Sequence, residues 1–216
     1  MKLYSFFRST AAYRVRIALG LKKLEHEIAP VDLIAGQQRS ATFLGENPQG
    51  LVPALVLDSG KTLAQSGAIL EWLEETHPDP PLYPEGALAR AQTRALCQHI
   101  ACDIHPLNNL RVLRYLNDPL ELEQSAVDDW YAHWIHRGFT PLEKAVGEFP
   151  EAFSLGDRPG MLEIFLIPQV FNAYRFKVDL TAFPNIAALD KRCQQLTAFH
   201  HAHPSRQVDT PQEERA

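Results

Sequence analysis

The chain has 216 residues, 45% hydrophobic and 22% charged, with a formal net charge of −5. That length supports one large domain or two small ones with separate cores, and the acidic balance argues against general nucleic-acid binding. With no apolar stretch long enough to span a bilayer and no signal-peptide pattern, a cytoplasmic globular protein is expected.

Residues 2–7 read as a strand, 11–22 as a helix and 26–31 as a second strand. Between the first two lies Arg8-Ser9-Thr10, with two good N-cap residues in a row. A helix starting there collects unpaired amides and the positive end of its dipole at one point, where anions and thiolates are stabilised. Arg8, Arg14 and Arg16 add cationic charge nearby. The same residues also fit an ordinary capped surface helix with solvated arginines.

Asn47-Pro48-Gln49-Gly50 is a turn signal. Val52-Pro53 then opens a strand over 54–58, paired with 61–63 around a two-residue Ser59-Gly60 loop. Pro53 fits an edge strand in the trans form. A cis bond would instead leave the Val52 backbone groups open to an extended peptide ligand. Gln65-Ser66 begins a helix through residue 75, with Ser66 expected as its cap and as a candidate carboxylate binder.

His77 to Gly86 carries four prolines in ten residues and reads as a stiff linker. Beyond it only helical patterns follow, at 88–117, 121–147, 160–174 and 184–202, then a polar surface tail from His203. An α/β domain over 1–80 and an all-helical domain over 87–216 are therefore expected. Pro106 interrupts this helical stretch, and His105, Asn109 and Arg111 are either spaced to share part of a helix face lining a cleft toward the first domain or belong to a kinked helix with a solvated Arg111. Arg175, flanked by Tyr174 and Phe176, is either a packed surface residue or a carboxylate binder. Three cysteines without a C-x-x-C spacing fit a reducing compartment. No metal-ligand spacing occurs, so no metal site is expected, and His200, His201 and His203 read as solvated.

Taken together, these pieces resemble the cytosolic glutathione transferases of the zeta class, whose known activity is maleylacetoacetate isomerase. The resemblance is carried by the run Arg8-Ser9-Thr10-Ala11-Ala12-Tyr13-Arg14-Val15-Arg16-Ile17-Ala18-Leu19, by Asn47-Pro48, Leu51 to Leu55 and Gln65-Ser66. It continues at Pro106-Leu107, Asn109-Leu110, Ile167 to Val170, Arg175 to Leu180, and the tail with Asp209-Thr210-Pro211. The family's cysteine stands here as Ala11 and its tryptophan as Tyr13, while Gly160-Met161-Leu162-Glu163 replaces the usual Ser/Thr-x-x-Asp capping box.

The resemblance implies a thioredoxin-like glutathione-binding domain followed by a helical substrate-pocket domain, a cis Val52–Pro53 bond and a homodimer. It implies that Ser9 donates to the glutathione sulfur and that Gln38 lies near the glycyl end. Val52 and Pro53 would meet the cysteinyl backbone, and Gln65 and Ser66 the γ-glutamyl end. His105 and Asn109 would approach from the helical domain. The amides of Thr10 and Ala11 are candidates to stabilise the enolate, and Arg8, Arg111 and Arg175 to hold the carboxylates of a small diacid substrate. The implied reaction is glutathione-dependent isomerisation of maleylacetoacetate to fumarylacetoacetate in tyrosine and phenylalanine catabolism. The alternatives are maleylpyruvate isomerisation, general glutathione transfer, or a binding protein without catalysis.

Overall fold

In the computed structural model, which describes residues 1–149 and 151–215, one unit comprises Met1–Pro81 together with Gln194–Ala216. Its sheet runs in the order β2 (Glu27–Pro30), β1 (Lys2–Ser5), β3 (Ala54–Val56), β4 (Thr62–Ala64). β1 is parallel to β2 and antiparallel to β3, and β3 is antiparallel to β4. The parallel pair needs a crossover, which α1 (Thr10–Leu21) supplies. With α2 (Ala41–Glu46) before β3 and α3 (Ser66–Thr76) after β4, the expected α/β order is present. Phe6 and Phe7 leave the sheet, because the Ser9 N–H bonds to the Phe6 carbonyl at 2.9 Å and turns the chain. The β3–β4 loop has three residues, 58–60, since Leu57 N–H bonds to Lys61 O at 2.9 Å.

Helix α1 corrects the picture of solvated arginines. Arg14 is 2% and Arg16 3% exposed, because α1 packs against α3 on one side and α9 (Thr197–Ala202) on another. Arg16 donates through Nε to Ala202 O (3.0 Å), through Nη1 to Ser5 Oγ (2.9 Å) and Phe6 O (3.4 Å), and through Nη2 to Phe7 O (3.1 Å). Burial lowers its guanidinium to about 10, with Tyr13 and Asp209 opposing the shift. Lys22, also buried, donates to Glu74 (2.9 Å) and to the His77 and Pro80 carbonyls (2.6 and 3.0 Å), fixing the start of the proline-rich segment.

The pattern over 184–202 divides into α8 (Pro184–Cys193) and α9, and the chain changes units between them. The segment from 194 onward therefore lies with the sheet, whereas the sequence pattern grouped it with the helices. Its polar composition concealed the anchoring. Pro204, Gln207 and Thr210 are buried, and Phe7 N–H donates to Asp209 Oδ2 at 2.9 Å. His203, expected to be solvated, is partly buried beside Tyr13, and its Nδ1 accepts from Ser205 N–H at 3.2 Å. Burial, then Arg16, Arg206 and His200, lowers its imidazole from 6.5 to about 4.

The other unit, Leu82–Cys193, contains α4 (Ala87–Gln98), a π-helical turn (His99–Ile104), α5 (Leu110–Asn117), α6 (Gln124–Gly147), α7 (Met161–Arg175) and α8. α7 is buried around nearly its whole circumference. Glu163 takes over the reciprocal half of a capping box, accepting from Gly160 N–H (2.8 Å), Ser154 N–H (2.7 Å) and Ser154 Oγ (2.5 Å). A Cβ at Gly160 would come within 2.7 Å of Leu155 Cδ1 and 2.8 Å of Leu82 O, which explains the missing Ser or Thr. Among the described residues no helix is long and apolar enough to cross a membrane.

Arg16→Met is expected to destabilise the protein by about 3 kcal/mol or more, because buried oxygens lose their donors. Urea denaturation would measure it, and Lys at this position should not restore the loss, since it lacks the planar fork. His203 sets a pH dependence. Its folded value of about 4 lies below the ordinary 6.5, so its stabilising contribution is present above pH 6.5 and lost as pH falls toward 4. His203→Gln should flatten that part of the profile, read as urea midpoints at about pH 7 and pH 5.

Candidate functional site

Ser9 lies where the chain turns from β1 into α1. Its backbone is extended (φ −67°, ψ 113°) and its Oγ accepts from Ala12 N–H at 3.2 Å. The hydroxyl hydrogen is still available to donate. Thr10 and Ala11 contribute first-turn amides at the positive end of the helix dipole. Just before them, Phe6 and Phe7 share a buried cluster with Val31, Phe43 and Val52. Apolar packing thus ties the Ser9 turn to the loop that carries Val52.

That loop is built from Asn47, which is 2% exposed. Its Nδ2 donates to Leu51 O at 2.7 Å, and its Oδ1 accepts from Gln49 N–H at 3.1 Å. Gly50 has φ 63°, and a Cβ there would stand 3.2 Å from Gln38 O. A side chain at 50 would therefore be strained and would crowd Gln38, which sits in the short turn Gln37–Arg39. Among the described residues, the buried Gln38 Oε1 has no hydrogen-bond partner, and the Val52 N–H and C=O make no hydrogen bond. The Val52–Pro53 bond is cis, as the resemblance implied.

Gln65 closes the site on the far side of the loop. Its Nε2 donates to Gln49 Oε1 at 2.6 Å, and its backbone has φ 69° and ψ 116°. A non-glycine residue held there costs on the order of 1–3 kcal/mol, a strain that recurs at ligand sites. The expectation that Ser66 caps α3 is corrected. Gln65 occupies the cap position without a side-chain cap bond, and Ser66 is the first helical residue. The Ser66 Oγ accepts instead from Arg14 Nη1 at 3.3 Å, so a residue of α1 orients it. Sequence reasoning gave Arg14 and Asn47 no such supporting parts. Arg14 falls on a helix position that pattern alone assigns to solvent, whereas the Asn-Pro turn was a usable signal for Asn47.

Arg8 is engaged by Glu214. Its Nε donates to Glu214 Oε2 at 3.1 Å and its Nη2 to Glu214 Oε1, while its guanidinium lies 5.0 Å from the Phe7 ring centroid.

In the helical unit, His105, Asn109 and Arg111 do not share one helix face; of the two readings the chain follows the interrupted helix with an exposed Arg111. The 88–117 pattern is interrupted after the π-helical turn, because Pro106 has no N–H to continue the helix. His105 ends that turn, with its N–H on Ile100 O at 2.9 Å. Asn109 caps α5, its Oδ1 accepting from Arg111 N–H at 3.1 Å, and the Arg111 side chain is exposed. Arg175 is the last residue of α7. It donates to Asn172 Oδ1 at 3.4 Å and lies 4.7 Å from the Phe176 ring centroid. Among the described residues no group of His, Cys, Asp and Glu is arranged to hold a metal ion.

Residues 1–75 match the family described as "Glutathione S-transferase, N-terminal domain". The chain is 43% identical over 213 residues to a maleylacetoacetate isomerase of Pseudomonas aeruginosa, covering 98% of this chain and 99% of that protein. It is also similar to the holo structure of a maleylpyruvate isomerase, a bacterial zeta-class glutathione S-transferase. That match has a TM-score of 0.94 and 43% identity, covering 98% of this chain and all of the other. A maleylacetoacetate isomerase from Methylobacterium extorquens, solved with bound malonate and glutathione, matches with a TM-score of 0.92 and 38% identity. It covers 98% of this chain and all of the other.

Gly50→Ala is expected to cost about 1 kcal/mol or more through its positive φ. Faster amide exchange at Leu51 and Val52, alongside a lower urea midpoint, would register the loosened loop.

Proposed function

The chain belongs to the zeta class of the glutathione transferases, and from that premise we propose that it isomerises the cis double bond of maleylacetoacetate to give fumarylacetoacetate, with glutathione as cofactor. The observation that carries this reading is a set of polar groups left open on two neighbouring segments, the Val52 backbone pair and Gln38 Oε1 of the turn Gln37–Arg39, together with Ser9 and the Gln65–Ser66 junction.

These groups fit glutathione by chemistry. An extended peptide pairs with a free N–H and C=O on one residue, as Val52 offers. A terminal carboxylate suits the start of α3, where Ser66 and Gln65 stand, and Gln38 suits the glycyl end. Bound glutathione supplies the thiolate that adds reversibly to the double bond and so frees it to rotate. Ala11 has no thiol of its own, which leaves that role to the cofactor. Ser9 donates its hydroxyl hydrogen to the sulfur and, with the α1 dipole, favours the ionised form. The amides of Thr10 and Ala11 stabilise negative charge developing on the substrate oxygen. Arg8, Arg111 and Arg175 are assigned to the substrate carboxylates, because a planar fork matches a carboxylate. His105 and Asn109 are assigned to glutathione. The reading also carries a cytoplasmic homodimer, which sedimentation and cell fractionation would check.

A second reading, maleylpyruvate as substrate, is favoured by one observation. The zeta-class maleylpyruvate isomerase is as similar in sequence, at 43%, as the Pseudomonas maleylacetoacetate isomerase. Relative kcat/KM on the two acids decides between them, with the higher value expected for maleylacetoacetate.

Ser9→Ala is expected to lower kcat by about a hundredfold, the usual effect of removing one charge-stabilising donor. The KM for glutathione should change far less. Equal losses in both, or activity without glutathione, would remove the proposed role.

A further inference from the structure

Arg8 is held by a carboxylate that the chain itself provides. Glu214 meets it side-on, one oxygen on Nε at 3.1 Å and the other on Nη2, the two-point geometry with which a guanidinium takes a carboxylate ligand. The pair is half-exposed, with side chains 29% and 35% accessible. The segment that delivers Glu214 is nonetheless firmly built. Arg16 holds Ala202 O at 3.0 Å, Asp209 holds Phe7 N–H at 2.9 Å, and Thr210 Oγ1 donates to Pro204 O at 2.5 Å. Arg215 Nε then bonds back to Thr210 O at 3.0 Å, closing the turn Gln212–Glu214 on itself.

We propose that Glu214 competes with the substrate carboxylate for the Nε–Nη2 edge of Arg8 and so sets the affinity of the site for acids. The proposal rests on the assignment of Arg8 to a substrate carboxylate. A tethered carboxylate is present at high effective concentration, so a ligand that takes the same Nε–Nη2 edge must displace it. A monoacid offers Arg8 only what Glu214 already gives, and it also loses translational freedom on binding. A diacid has a second carboxylate, and a second ion pair made by it would offset the displacement. Glu214 therefore lowers the affinity for both kinds of acid by the same displacement.

The test is malonate binding to the glutathione-saturated protein, measured by titration calorimetry for the wild type, Glu214→Gln, Glu214→Ala and Arg8→Gln. Both Glu214 variants are expected to bind malonate about twofold to fivefold more tightly, the range set by half-exposed ion pairs. Acetate should gain by a similar factor, because the contact it displaces is the same. Arg8→Gln should weaken malonate binding. Unchanged or weaker malonate binding in both Glu214 variants overturns the proposal, and weaker binding would mean that Glu214 positions Arg8. If Arg8→Gln weakens malonate while the Glu214 variants do not tighten it, the competition alone fails. If Arg8→Gln leaves malonate affinity unaltered, the assignment of Arg8 fails and the proposal goes with it. An unchanged thermal midpoint in each variant verifies that the segment remains folded.

Discussion

The buried Arg16 guanidinium is the contact on which the candidate site depends. It binds the Ser5 hydroxyl and the Phe6 and Phe7 carbonyls on one side and the Ala202 carbonyl on the other. The residues it fixes lead directly into Arg8 and Ser9. A cation with so little exposure is stable only because oxygen acceptors surround it, with Asp209 close enough to act on it electrostatically. The geometry of the Ser9 turn is thus set from the interior of the unit. The loop carrying Val52 follows the same logic, since buried Asn47 supports Leu51 from beneath and leaves the groups of Val52 unpaired.

Much of this arrangement was legible in the sequence because local chemistry and global position agree there. Ser9 caps α1 as its residue type suggests. The Val52–Pro53 conformation was accessible only through the resemblance, since the residues alone allow either isomer. In the sheet unit the places where the reading failed trace mostly to a long-range partner that local pattern does not encode. Arg14 and Arg16 look solvent-facing until α9 covers α1. Ser66 looks like a cap until Arg14 arrives from α1 to hold its hydroxyl. The polar segment from His203 looks like a surface tail until Asp209 takes the Phe7 N–H and Gln207 and Thr210 are buried on bonds within the segment.

In the helical unit the difficulty was the length of a helix. Pro106 marks an interruption of the 88–117 pattern but not its extent: His105 closes the π-helical turn and Asn109 caps α5, so the two share no face. At Gly160, by contrast, the departure from the expected capping residue has a steric reason. The position is too crowded for a Cβ, and Glu163 retains the reciprocal half of the cap.

The division of the first unit between the two ends of the chain also bears on how the protein is made. Met1–Pro81 emerges from the ribosome first, yet α9 and the segment that covers Arg16 are translated only after Leu82–Cys193. The helical unit, contiguous in sequence, has all its residues while the sheet still lacks a wall. Vectorial synthesis ordinarily lets N-terminal domains mature first. Here Met1–Pro81 waits, with a charged guanidinium and an apolar helix flank uncovered, until the segment from Gln194 has been made.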